Sequence, residues 1–293
     1  MTPVSARRGA FYVSVAATAW GTGGAAGSLL FQSGGLGPVG VSLWRYLLGA
    51  AFLLALTRLT GGRLDRFSPR VVVVGLGMAV YQTAYFASIA ESGVAVATVV
   101  TMGATPVLTA LGGRILLRER LGRVGLTALA AALAGLALLT GEAAVEGGGG
   151  LAGIAFALLS AAGYAGVTVF SRRHQDDPQG TAVGGFLVGA ICLMPFALAE
   201  GVLPELNLPS VALLLYLGAV PTALAYGLFF RALTALDATT VSVISLVEAA
   251  GAAVLGVVLF GERLSPLAWG GCALLSAAVV VLTARAGSTA GQA

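Results

Sequence analysis

Glu248 is the one acid set deep inside a long apolar run of this chain. A charged group near the middle of a bilayer costs roughly 2.5–3.5 kcal/mol on insertion scales, so an acid kept there marks a working site. Two kinds of chemistry are open to it: exchanging a proton, or pairing with a substrate amine. One carboxyl cannot hold both at once, and that exclusion is the basis of antiport. Ser242 and Ser245 lead into Glu248 at helical spacing, and Thr98, Thr101 and Thr105 form a similar stripe that ends at Pro106. Such hydroxyls face one side of a helix, although Ser and Thr can also turn back onto the carbonyl four residues earlier. Tyr81, Gln82 and Tyr85 bring polar tips into another apolar run, with the two tyrosines four apart and therefore on one face. Trp20, Tyr164 and Tyr226 are further aromatics with a polar end, suited to the wall of a cavity that grips amphipathic solutes. The candidate substrate-binding set is thus Trp20, Tyr81, Gln82, Tyr85, Thr101, Thr105, Tyr164, Tyr226, Ser245 and Glu248, with Glu248 as the candidate proton carrier. Arg45, a third of the way into its run with no acid three or four residues away, reads better as an anchor or a lock between helices.

The elements that must position these residues are membrane helices. The chain of 293 residues is 58% hydrophobic and 10% charged, against about 25% charged for soluble domains, and its mean hydropathy is +0.95. Ten stretches reach the roughly 20 apolar residues a span requires: 9–31, 38–57, 70–90, 93–115, 122–141, 151–171, 181–200, 209–232, 238–260 and 265–284, called spans 1 to 10 below. Span 1 follows Arg7 and Arg8 as a signal peptide would, but it is too long and too many spans follow. Arginine placement orients the spans. Fourteen of the sixteen arginines fall on one side of this arrangement, and the other side holds Arg263 with Glu91, Glu142, Glu146, Glu200, Glu205 and Glu262. The positive-inside rule then makes both termini cytoplasmic.

A sequence pI near 9.4 does not mark a nucleic-acid binder, because the arginines are scattered between apolar runs. Cys192 and Cys272 sit within apolar runs, and His174 is the single histidine, so neither a disulfide framework nor a metal site is expected. An intramembrane enzyme is disfavoured by what is missing: paired aspartates, a histidine cluster, Gly-x-Ser-x-Gly and any Walker sequence. No cofactor is expected.

The ten spans divide at Gly147–Gly150 into residues 1–146 and 151–293, five spans each. Five is odd, so the second half enters the membrane upside down. Sequence echoes link the halves in order: Ala19-Trp20-Gly21 with Gly163-Tyr164-Ala165, Tyr46-Leu47-Leu48-Gly49-Ala50 with Phe186-Leu187-Val188-Gly189-Ala190, Thr83-Ala84-Tyr85 with Leu224-Ala225-Tyr226, and Glu119-Arg120-Leu121 with Glu262-Arg263-Leu264. Glu248 lies about 143 positions after Thr105. Inverted repeats characterise secondary transporters, with the site near the midplane between them. Pro106 and Pro221 are candidate hinges. Glu119 and Glu262 read as surface residues that pair with nearby arginines to little effect.

Trp20-Gly21, Arg45, Thr105-Pro106, Glu119-Arg120-Leu121, Val247-Glu248 and Gly261-Glu262-Arg263-Leu264 together resemble the EamA family of the drug/metabolite transporter superfamily. The resemblance implies ten helices in two inverted five-helix halves around a central cavity. It also implies export of amino acids, other metabolites or drug-like amphipathic compounds by alternating access, with protons as the candidate coupling ion; an uncoupled facilitator of the same fold is the alternative. The family's usual Glu-Pro is Glu248-Ala249 here, which withholds the proline that would bend span 9 at that point.

Overall fold

The computed structural model describes the backbone of residues 4–33, 35–59, 68–146, 150–175, 177–261 and 263–288, and the side chains of all of these except 24, 25, 28, 31–33, 93–95, 142–146, 260 and 285–288. Arg63, Arg66, Glu262, the side chains of Glu142, Glu146 and Arg285, and most of the Gly147–Gly150 linker therefore lie outside it.

The described residues form helices and connecting segments with no strand. In order these are α1 (Ala6–Ser33), α2 (Pro38–Leu59), α3 (Pro69–Gly112), α4 (Arg123–Glu146), α5 (Leu151–Arg173), α6 (Pro178–Glu200), α7 (Leu208–Gly218), α8 (Ala225–Ala232), α9 (Ala238–Ser245), α10 (Val247–Phe260) and α11 (Pro266–Ser288). Side chains at their entries satisfy otherwise orphaned amides: Asp177 accepts from the Gly180 N–H at 2.8 Å and Asn207 from that of Ser210 at 2.9 Å, each followed by a first-turn proline.

The 44-residue α3 is not one rod. On a straight helix Tyr85 and Thr98 would stand about 20 Å apart, yet their hydroxyls hydrogen-bond at 2.7 Å. The chain must double back between them. The contacts with α5 agree: Ser160 donates to the Tyr81 carbonyl and Ser88 to that of Gly153, whereas Thr101 donates to that of Ala157. The first leg thus runs antiparallel to α5, and the second leg returns beside it.

Nine stretches among the described residues are long and apolar enough to cross a membrane, and they coincide with spans 2 to 10. α1 has the length, at 28 residues, but its Gly, Ala, Ser and Thr content keeps it out of that set.

Span 9 departs from expectation. It divides into α9 and α10 at Leu246, where ψ is −13° and the bonds tighten to Leu246 N–H on the Val243 carbonyl and Ala249 N–H on the Leu246 carbonyl. No proline is present at the break; just beyond it α1 packs closely, where a Cβ on Gly21 would lie 3.0 Å from the Glu248 carbonyl oxygen and 3.2 Å from the Ala252 nitrogen. Span 8 changes pitch as well, through a π-helical turn at Ala219–Leu224 that contains Pro221. The Thr222 hydroxyl donates there to the Leu217 carbonyl five residues back. Pro106, by contrast, sits inside an unbroken stretch of helix.

Helices from the two ends of the chain interleave. The first leg of α3 packs on α5 and α6, α1 on α8, α9 and α10, α2 on α6 and α7, and α4 on α11. Tyr46 of α2 stacks on Phe186 of α6 with centroids 5.4 Å apart. A Cβ at Gly75 would collide with Val188, and one at Gly218 with Leu48. Gly135 and Gly271 let α4 and α11 touch backbone to backbone, since a Cβ on either would come within 2.8 Å of the other's carbonyl oxygen.

Glu119 also departs from expectation. It is 15% exposed rather than out at the surface, and its carboxylate joins three elements: it accepts from Arg172 Nε at 2.9 Å and from the Ala238 N–H at 3.1 Å.

Candidate functional site

A cavity of about 390 Å³ runs from the middle of the bundle toward the end that carries Glu91, Glu200 and Glu205. Pro38, the first residue of α2, and Ile89, near the turn of α3, line its outer part. The volume suits a small organic solute, for which pockets run from ~300 to 1,000 Å³.

The structure brings all ten candidate residues to this one wall. Tyr81, Gln82 and Tyr85 come from the first leg of α3, and Thr101 and Thr105 from the second. Facing them are Trp20 of α1, Tyr164 of α5 and Tyr226 of α8, and Ser245 and Glu248 flank the break in span 9. Tyr81 and Tyr85 share a face as their spacing requires, with centroids 6.5 Å apart, and Tyr81 also meets Tyr164 at 5.2 Å.

Hydrogen bonds fix what each group can offer. Gln82 donates its amide to Ser42 Oγ at 2.8 Å, and Ser42 donates to the Pro38 carbonyl. Thr105 donates to the Thr101 carbonyl at 2.7 Å and Ser245 to that of Val241 at 2.9 Å. These hydroxyls have spent their protons on the backbone, so they present lone pairs to the cavity. The Glu248 carboxylate forms no hydrogen bond or ion pair among the described residues.

Arg45 lines the same cavity and supplies the opposite character. Its Nε donates to Thr222 Oγ1 at 3.4 Å, and it forms no ion pair among the described residues. The guanidinium thus couples α2 to the π turn of span 8, as a lock would, and also faces the cavity. Ser42, Met102 and Ser242 also line the wall outside the candidate set. Ser242 stood in the serine stripe, whereas nothing local singles out Met102.

An aromatic floor closes the cavity on the arginine-bearing side. Trp20 meets Tyr226 at 5.0 Å and Phe229 at 5.5 Å; Tyr164 reaches the same Phe229 at 6.0 Å, and Phe230 backs it at 5.3 Å. Phe229 is fully buried.

A model of the EamA-like transporter family matches residues 7–141 and again 151–284. The chain belongs to the EamA-like transporter family. This EamA-like protein is 31% identical to the uncharacterized transporter YwfM of Bacillus subtilis (strain 168) over 280 residues, with 93% of each chain covered. It is 25% identical to an uncharacterized transporter of Clostridium kluyveri, covering 88% of this chain and 87% of that one. A solved crystal structure matches its fold with a TM-score of 0.83 at 23% identity, covering 96% of this chain and 98% of the other. Membership and relatives, with the apolar helices, point to a multi-pass membrane transporter rather than an enzyme.

Proposed function

We propose that this protein is a secondary exporter of small amphipathic metabolites, amino acids among them, that works by alternating access with Glu248 as its proton carrier. The observation that carries the reading is the unpartnered Glu248 carboxylate on the wall of a closed-floored cavity at mid-bundle. A proton and a substrate ammonium compete for that carboxylate, and the lone pairs of Thr105 and Ser245 favour the ammonium once the proton leaves. Arg45 complements an anionic group at the other end of the solute, and Trp20, Tyr81, Tyr85, Tyr164 and Tyr226 hold its apolar body. A unit pH gradient supplies about 1.4 kcal/mol per proton and 100 mV about 2.3 kcal/mol per charge, so either can drive uphill export.

Alternating access fits a ten-span chain with α1 as its tenth span, built from inverted halves 1–146 and 151–293 in the plasma membrane with both termini cytoplasmic. Reciprocal contacts support the symmetry. Residues matched by the repeat, Tyr46 and Phe186, stack on each other. Leu48 and Val188, also matched by the repeat, each pack against a glycine of the other half, Gly218 and Gly75. The family match likewise covers the two halves separately.

The test is flux in proteoliposomes, after a thermal-shift screen of amino acids, aromatic cations, nucleosides and sugars. A ligand at 100 times its Kd should add about 2.7 kcal/mol of stability. Glu248→Gln should leave the protein folded and abolish flux driven by a pH gradient. Undiminished pH-driven flux in that variant would refute the proton role, and pH-independent flux in the unmodified protein would make it a facilitator.

A further inference from the structure

Among the described residues, the two ends of the bundle are closed differently. Toward the acidic end the cavity continues between Pro38 and Ile89. There the Glu200 carboxylate accepts from the Val39 and Gly40 N–H groups at 2.7 and 2.9 Å, joining α2 to α6, which pack on each other in any case. Toward the arginine-bearing end lies the aromatic floor, and beyond it one compact polar cluster. Arg172, at the end of α5, donates from Nε to Glu119 Oε1 at 2.9 Å and from Nη1 to the Leu233 carbonyl at 2.8 Å. The second Glu119 oxygen accepts from the Ala238 N–H at the start of α9. Glu119 itself is held by a tight return: its N–H bonds to the Gly113 carbonyl at 3.0 Å across a π turn, and Arg118 takes a left-handed φ of 59°. Four separate chain segments converge on this one ion pair: the end of span 4, the end of α5, the end of span 8 and the start of span 9. Glu119 comes from the first half of the chain and the other three contacts from the second.

A second observation points the same way. Among the described residues, Ser171 Oγ, next to Arg172, is buried with no hydrogen-bond partner.

We infer that the Glu119–Arg172 cluster is the latch of a gate on the arginine-bearing face, and that releasing it tips the protein from a state open at the acidic end to one open at the other. The inference rests on the alternating-access reading above but needs no knowledge of the solute. In the latched state span 4, α5, span 8 and span 9 are held together beneath the floor. On release, Phe229 and Phe230 part from Trp20 and Tyr164, and Ser171 meets water.

The test uses Ser245→Cys as a reporter on the cavity wall, with Cys192 and Cys272 replaced by alanine. A membrane-impermeant maleimide is applied to right-side-out and to inverted vesicles. With the latch intact, labelling should be faster from the acidic side. Adding Glu119→Gln should slow labelling from that side and speed it from the arginine-bearing side by about tenfold or more, the population shift expected for losing charge-assisted hydrogen bonds. Equal acceleration from both sides means general loosening and overturns the latch, as does an unchanged ratio. Should Glu119→Gln fail to fold, Arg172→Lys is read in the same way, because it keeps the charge but loses the two-pronged donor. Labelling proceeds without substrate, so failure to find a transported solute leaves this result readable, and an unaltered labelling ratio leaves the flux assay standing.

Discussion

Spans 4 and 9 occupy corresponding places in the two halves of the chain and behave in opposite ways. Span 4 carries Thr105-Pro106 and stays helical through the proline. Span 9 carries Glu248-Ala249, has no proline, and breaks two residues before the acid. Local propensity would assign the break to the other helix. The surroundings decide instead. Around Pro106 the hydroxyls of Thr105 and Thr109 donate to the carbonyls of Thr101 and Thr105, keeping the turn polar-satisfied without an interruption. Just beyond Leu246 the backbone of α1 comes close through Gly21, which faces the Glu248 carbonyl and the Ala252 nitrogen. The break thus sits beside a helix crossing rather than at a proline. The family's usual proline would fall at position 249, where it forfeits only the tightened bond of that N–H to the Leu246 carbonyl.

That contrast can be broken or sharpened in several ways. The largest effect expected is on transport: Glu248→Gln should abolish gradient-driven flux in proteoliposomes, whereas Thr105→Val, which removes the corresponding group from span 4, should lower flux only a few-fold. Equal losses would mean that the two halves share the chemistry evenly. Next come the prolines. Leu108→Pro, within the continuous part of span 4, should cost about 3 kcal/mol or more, seen as a clear fall in Tm. Ala249→Pro should cost no more than about 1 kcal/mol, because it removes a single tightened bond at a break that already exists. A large destabilisation by Ala249→Pro would show that span 9 is continuous in solution. Gly21→Ala should cost about 1–3 kcal/mol by pushing α1 off the break, measured in the same melts. Smallest is Thr222→Ala, which frees Arg45 from its partner and loosens the π turn for about 1 kcal/mol.

Much of this architecture was legible from residue type alone. In a chain so apolar, a tyrosine, glutamine or acid inside a run stands out, and all ten residues chosen on that ground line one cavity. Spans 2 to 10 were legible because hydropathy reports directly on length and apolarity. What could not be read depended on partners distant in sequence. The break at Leu246 lies beside a close approach of Gly21, more than two hundred residues earlier. Glu119 looked like an ordinary surface acid, since nothing near it in sequence announces Arg172, Leu233 or Ala238. That Arg45 faces the cavity could not be read from its neighbours along α2, which carry no charge.

The backbone contact of α4 with α11 at Gly135 and Gly271 has a mechanical corollary. It stands apart from the cavity, and at these two glycines the backbones meet directly. On the alternating-access reading proposed above, such a crossing would serve as a fulcrum. Two halves rocking about it would share a single degree of freedom, so that widening one mouth would narrow the other by leverage, and a leak through both at once would require the fulcrum itself to slip.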